Sequence, residues 1–168
     1  MALAYFITFT TYGTWLHGSE KGSVDDTHNV HGTALLENDD DRQIRAQDAM
    51  AQAPYVMSTE EREIVCKAMV DLVDEREWDL PAVHVRSNHV HIVISAPRDP
   101  GRMMSELKAR ASQDLTEAGF DDARRRRWTR HGSTKHLFRS EEVEAKIGYT
   151  LDEQGERMAW YAKEPRTQ

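Results

Sequence analysis

The stretch His89-Val90-His91-Ile92-Val93-Ile94 constrains this chain more than any other. Successive side chains of a strand point to opposite faces, so Val90, Ile92 and Ile94 line one face and His89, His91 and Val93 the other. Such alternation belongs in a sheet with one buried face and one polar face, which is the habit of antiparallel sheets. It also sets two imidazoles side by side at i and i+2, a spacing that lets both bind one divalent ion. The plain alternative is a pair of surface histidines on a half-exposed strand.

The rest of the chain supplies the partners for such a strand. Residues 3–12 alternate as well, with Tyr5, Ile7 and Phe9 opposed to Phe6, Thr8 and Thr10, and their β-branched and aromatic content predicts a strand. Ser58-Thr59-Glu60-Glu61 reads as a capping box. Behind it Ile64, Val65, Ala68, Met69, Leu72 and Val73 recur at helical spacing, so a helix runs to about Trp78. Past Pro81, residues 82–86, a turn at Ser87-Asn88 and residues 89–96 make a hairpin. A second helix over 102–118 has Met104, Leu107, Ala111 and Leu115 inward and stops at Gly119. Short strand-like pieces follow near Trp128 and Leu137-Phe138.

Ser140 then caps a last helix, with Val143, Ile147 and Leu151 as its buried stripe. Tyr149 lies ~200° around the helix from Ile147, off that stripe, and Glu153 falls one turn further on the tyrosine's face. The order of elements predicts an α+β fold: an antiparallel sheet, ferredoxin-like or RRM-like, with helices on one face and the other face open for function. Residues 1–155 are expected to form one domain that includes a loop-rich insertion at 17–57, and residues 156–168 a tail.

The net charge of −7 argues against a general nucleic-acid binder, but the charge is unevenly spread. Residues 1–100 hold 8 Lys/Arg against 17 Asp/Glu, whereas residues 101–168 hold 14 against 12. Within the second part, residues 124–139 carry seven Lys/Arg and no acid. A local basic strip can hold a phosphate backbone on an acidic protein. Lys108, Arg110, Arg124, Arg125, Arg126, Arg127, Arg130 and Lys135 are therefore candidate phosphate contacts, and Trp128 could stack on a base. A solvated basic loop is the alternative. His17, Asp26, His28 and His31 match no standard metal spacing.

Cys66 is the only cysteine, so no internal disulfide forms, which suits a reducing cytoplasm. No apolar run reaches the roughly 20 residues that span a bilayer. The apolar N-terminus lacks a basic leader and a small-residue cleavage site, so it reads as a strand and not a signal peptide. The expectation is a cytoplasmic protein without a membrane partner.

Together these features resemble the single-tyrosine HUH transposases of the smallest bacterial insertion sequences and the related REP-associated tyrosine transposases. The resemblance is carried by Tyr5-Phe6-Ile7-Thr8-Phe9-Thr10-Thr11-Tyr12-Gly13-Thr14-Trp15-Leu16 and by Ser87-Asn88-His89-Val90-His91-Ile92-Val93-Ile94. It continues through Leu107-Lys108, Trp128-Thr129-Arg130-His131-Gly132-Ser133-Thr134 and Ile147-Gly148-Tyr149.

The resemblance implies a ferredoxin-like fold with the His-x-His strand central. It implies Mg²⁺ or Mn²⁺ held by His89, His91 and a polar residue near the tyrosine. It implies Tyr149 as the nucleophile of a single-strand DNA endonuclease and strand transferase working through a 5′-phosphotyrosine. The family's third ligand usually stands four positions after the tyrosine and is Gln or Asn. Position favours Glu153 and residue identity favours Gln154; Glu153 is the expectation. No Asn-Pro follows Tyr149, unlike in much of the REP-associated group. The implied partners are single-stranded DNA with hairpins and a second copy of the chain. The competing readings are a hairpin DNA- or RNA-binding relative that no longer cuts, a metal-dependent phosphodiesterase using water, and an interaction protein without chemistry.

Overall fold

The structure is a computed structural model, and it describes residues 1–14 and 51–164. Most of the loop-rich segment, with His17, Asp26, His28 and His31, falls outside the described residues. So do Trp15 and Leu16. Among the described residues, no helix is long and apolar enough to cross a membrane.

The elements run β1 (Ala4–Thr10), α1 (Thr59–Glu75), β2 (Asp79–Val85), β3 (His89–Ser95), α2 (Pro100–Glu117), β4 (Ser133–Leu137), α3 (Ser140–Asp152) and β5 (Ala159–Ala162). The five strands form one sheet in the order β4-β1-β3-β2-β5, and every neighbouring pair is antiparallel. The first four strands, with α1 and α2 as crossovers, reproduce the ferredoxin-like order with the His-x-His strand central. The expected α+β class and antiparallel sheet are what the chain adopts.

Local signals set these elements. Ser58 caps α1: its hydroxyl accepts from the Glu61 N–H, and the Glu61 carboxylate accepts from the Ser58 N–H. Asp99 accepts from the Arg102 N–H at 2.9 Å and Pro100 occupies the first turn, where its missing N–H costs nothing. Val65, Ala68, Met69 and Leu72 of α1, with Leu107, Ala111 and Leu115 of α2, close over Ile7, Phe9, Val83, Val85, Val90, Ile92 and Ile94. Each such buried side chain stabilises the fold by about 1.5–3 kcal/mol.

Four expectations are corrected. The helices do not all lie on one face. The inward side of α3 packs against Ala4, Phe6, Val93 and Leu137, on the face opposite α1 and α2. Those four residues give that face its own apolar patch, so it cannot stay open. Residues 156–168 are not simply a tail, because residues 159–162 pair with β2 as β5 and extend the sheet. Ser140 is not the cap of α3. It is the first helical residue, and the Glu142 carboxylate accepts from the N–H groups of Phe138 and Arg139. The end of the loop-rich segment belongs to the core, since Tyr55 and Met57 are buried and hydrogen-bonded to the backbone of Tyr12 and Ser87.

Gly132 stands where β4 meets the sheet. A Cβ there would lie 2.6 Å from the Thr8 carbonyl oxygen and 2.6 Å from the Met104 sulfur, so only glycine fits.

Candidate active site

The β2–β3 turn fixes the site. Arg86 N–H donates to the His89 carbonyl at 2.9 Å, and this closes a tight hairpin in which His84 stands opposite His91. On the other side of β3, Thr8 stands opposite His91 and Thr10 opposite His89. β5 then sets Trp160 opposite His84. A row Thr8–His91–His84–Trp160 thus crosses four strands on one face of the sheet, and α3 lies on that face.

Both histidines of the His-x-His strand are held through Nδ1. Nδ1 of His89 lies 2.7 Å from the Asn88 side-chain oxygen, and Nδ1 of His91 lies 3.0 Å from the Thr8 hydroxyl. An amide oxygen only accepts, so His89 donates through Nδ1, which leaves Nε2 as the nitrogen turned to other partners. Holding Nδ1 in this way is how proteins orient an imidazole as a metal ligand. The ring centroids of His89 and His91 are 4.9 Å apart. His91 is only 6% exposed, and burial, with the His89 ring beside it, pulls its pKa down to about 4. It is therefore neutral at ordinary pH, the form that binds a cation.

Tyr149 faces this pair. Its ring meets His91 edge-on at 5.7 Å between centroids and Phe6 edge-on at 5.8 Å. Phe6 in turn stacks on His91 at 5.6 Å. This corrects the expectation that Tyr149 is turned away from the packed side of its helix. The helix meets the sheet through Tyr149 and the fully buried Thr150, and Val143 and Ile147 flank that contact. Lys146, one turn before Tyr149, sits 4.7 Å from the Tyr149 ring centre and 4.6 Å from that of Phe6.

The two candidates for the third ligand part company here. Glu153 ends α3, is exposed, and uses its N–H to reach the Tyr149 carbonyl. Gln154 is half-buried and close enough to His91 to oppose the fall in its pKa. Its amide nitrogen also lies 3.4 Å from the Tyr149 carbonyl oxygen. Among the described residues, no three His, Cys, Asp or Glu side chains converge as a metal cluster. The two imidazoles of His89 and His91 lie side by side, and imidazoles are suitable donors for a borderline divalent ion.

The basic candidates divide. Arg110 pairs with both carboxylate oxygens of Glu75 at 2.8 and 3.0 Å and ties α2 to α1; those carboxylates raise its pKa further. Arg127 is 2% exposed and donates to the carbonyls of Ser112 and Phe120. Arg125 donates to the Gln52 side chain and the Ala53 carbonyl. Lys108 donates to the carbonyls of Thr129 and His131, and burial lowers its pKa to about 8. Trp128 points inward, edge-on to Phe9, with its N–H donated to Lys108 and Ser112. Arg124, Arg126, Arg130 and Lys135 are exposed. Lys135 stands opposite Phe6 on β4, on the histidine face.

Two residues of this face escaped the sequence reading. His84 is fully buried, with Nδ1 2.9 Å from the Thr150 carbonyl and Nε2 accepting from the Met158 N–H at 3.0 Å. It anchors the backbone just after Tyr149. The signal was present, because a turn at Ser87-Asn88 forces residue 84 opposite residue 91. Trp160 escaped because residues 156–168 carry no long apolar pattern.

A ferredoxin-like sheet whose central strand offers two imidazoles to a helical tyrosine defines a class, the single-tyrosine HUH transposases. The chain belongs to the IS200-like transposase family, whose model, "Transposase IS200 like", matches residues 53–146. β1, Tyr149 and Gln154 lie outside the matched range. No curated protein matches the chain. One similar solved structure is described as "Structure of the REP associates tyrosine transposase bound to a REP hairpin". It has a TM-score of 0.49 and 10% identity, over 89% of this chain and 66% of that one, just under two thirds of its length.

Proposed function

We propose that this protein nicks and rejoins single-stranded DNA, with Tyr149 as nucleophile and His89, His91 and Gln154 as the ligands of a divalent cation. The observation that carries the reading is the edge-on contact of Tyr149 with His91 at 5.7 Å, beside His89. A nucleophile and a pair of metal-binding imidazoles on adjacent elements can address one phosphate. Gln154 replaces Glu153 as the preferred third ligand because it is half-buried, with its side chain against the Tyr149 carbonyl, while Glu153 is exposed. Two imidazoles with one amide oxygen suit Mn²⁺ better than Mg²⁺, which favours all-oxygen sites.

When bound, the cation supplies Lewis-acid polarisation of the scissile phosphate. The chain's residues supply the rest. The Tyr149 hydroxyl oxygen attacks phosphorus, the bond to the 3′-oxygen breaks, and a 5′-phosphotyrosine and a free 3′-OH result. The phenol proton passes through solvent to the departing 3′-oxygen. Attack by a second 3′-OH reverses the step, joins the strands and restores Tyr149. The phosphoester energy is kept in the protein link, so no nucleotide cofactor is required. Phe6 and His91 fix the plane of the phenol ring, and Lys146 places a cation beside the developing phenolate and the phosphate. Lys135 and Arg130, both exposed, are the phosphate contacts on the approach to the site, and hairpins flanking the gene are the expected substrate.

The test is covalent trapping on labelled single-stranded DNA from the gene's flanks, with Mn²⁺ or Mg²⁺. A protein–DNA adduct on a denaturing gel is expected for the unaltered protein and absent in Tyr149→Phe and His89→Ala. Cleavage that persists in Tyr149→Phe without an adduct would replace this reading with a water-using phosphodiesterase. Hairpin binding without cleavage on any flank would replace it with a non-cutting binder.

A further inference from the structure

Tyr161 of β5 stands opposite Val83 and packs against the core, so its neighbour Trp160 must point to the other face. That is the face of His91 and α3. Trp160 remains 45% exposed there, although Trp78 and Trp128 are both packed against the core. The guanidinium of Arg157 lies 4.4 Å from the Trp160 ring centre and is held in place by Asp152 at 2.6 Å. A cleft of about 530 Å³ lined by Arg62, Arg86 and Arg157 opens beside Ala159, at the start of α1, and does not include Trp160. A half-exposed indole with a guanidinium over its ring is a combination that binds unpaired bases and their phosphates.

We propose that Trp160 is the stacking platform for an unpaired base of the DNA strand that reacts at Tyr149. The inference rests on the function proposed above and adds where the strand runs. Trp160 lies two strands from His91 in one cross-strand row, about 10 Å at ~4.8 Å per strand. At ~3.4 Å per stacked nucleotide that span is about three nucleotides. Because α3 covers His84 between the two, the strand passes around the helix, and the base on Trp160 is at least about three nucleotides from the scissile phosphate. Stacking is indifferent to base identity, so this contact holds the strand without reading its sequence.

The experiment compares a short oligothymidylate with an abasic strand of the same length and charge, both binding the full-length protein in chelator, so that no cleavage intervenes. The unaltered protein is expected to prefer the strand with bases by about tenfold. Trp160→Ala should abolish that preference and leave the salt dependence of binding unchanged, because the phosphate contacts remain. Trp160→Phe should keep most of the preference, which separates lost stacking from lost folding. A preference undiminished in Trp160→Ala, or no preference in the unaltered protein, overturns the inference. Formation of the Tyr149 adduct is read separately. An adduct with no base preference removes the platform and spares the function, and absence of an adduct on every flank removes the function itself.

Discussion

His91 and Tyr149 meet edge-to-face, 5.7 Å between ring centres, although 58 residues of chain separate them. β3 and α3 bring them together because the apolar patch of Ala4, Phe6, Val93 and Leu137 seats the helix directly over the histidine row. The proposed nucleophile and the proposed metal-binding pair are thus positioned by packing before any DNA arrives. That preorganisation separates the three residues' roles experimentally.

Gln154→Ala is expected to weaken Mn²⁺ binding by about 10- to 100-fold, the usual effect of disturbing a ligand set. Glu153→Ala should change it by no more than roughly twofold, as for an exposed side chain. Calorimetric titration of the purified protein with Mn²⁺ checks both, and the reverse order would restore Glu153 as the ligand.

The metal-free protein should lose stability on acidification. The pKa of His91 is about 4 in the folded state against 6.5 for a free imidazole, so protons bind the unfolded chain more readily. The stability this contributes is complete above pH ~6.5 and is lost as pH falls from there towards 4, a loss on the order of 2–3 kcal/mol. Burial lowers the pKa of His84 as well and adds in the same direction. Urea unfolding at several pH values, in chelator, should show a flatter profile for His91→Gln than for the unaltered protein. Parallel profiles would assign the acid sensitivity elsewhere.

Arg127→Met should destabilise the fold by about 1–3 kcal/mol, because the carbonyls of Ser112 and Phe120 lose their donor. It should leave the salt dependence of DNA binding unchanged. Lys135→Ala should do the opposite, with stability intact and the salt slope reduced by about one. Thermal melts and binding isotherms over a range of salt distinguish them.

Lys146→Met keeps the aliphatic stem against Phe6 and Tyr149 but removes the charge. Adduct formation should slow by about tenfold or more, with metal affinity and melting temperature unchanged. Lys146→Arg should recover most of the rate. Equal rates in all three would reduce Lys146 to a packing residue.

Gly132→Ala should cost about 1–3 kcal/mol, since the Thr8 carbonyl against the new Cβ is backbone and has little room to yield. A melting curve measures it.

Much of this architecture was legible in the sequence. The period-2 alternation of β1 and β3 and the 3.6-residue spacing of α1 and α2 define faces, and faces define the sheet and its cover. α3 was misread for a physical reason. Val143, Ile147 and Leu151 do pack inward, but the helix also docks through a neighbouring stripe of Lys146, Tyr149 and Thr150. That stripe is half polar, and only the presence of Phe6, His91 and His84 opposite makes it a packing surface. The arginine run misled similarly. Charge density announces a basic strip, but it does not say which guanidiniums find buried carbonyls, and Arg127 finds two. β5 is four residues long and pairs with a strand some 75 positions earlier, so no local pattern could announce it.

The placement of β5 has a consequence for assembly. α3 leaves the sheet at one edge, β4, and the chain re-enters at the opposite edge, β5, so the tyrosine helix is strung like a strap buckled at both ends. A swap of this helix into a neighbouring molecule would have to peel β5 from β2 and break the His84 hydrogen bond to Met158. A strap fastened twice holds Tyr149 against His91 of its own chain.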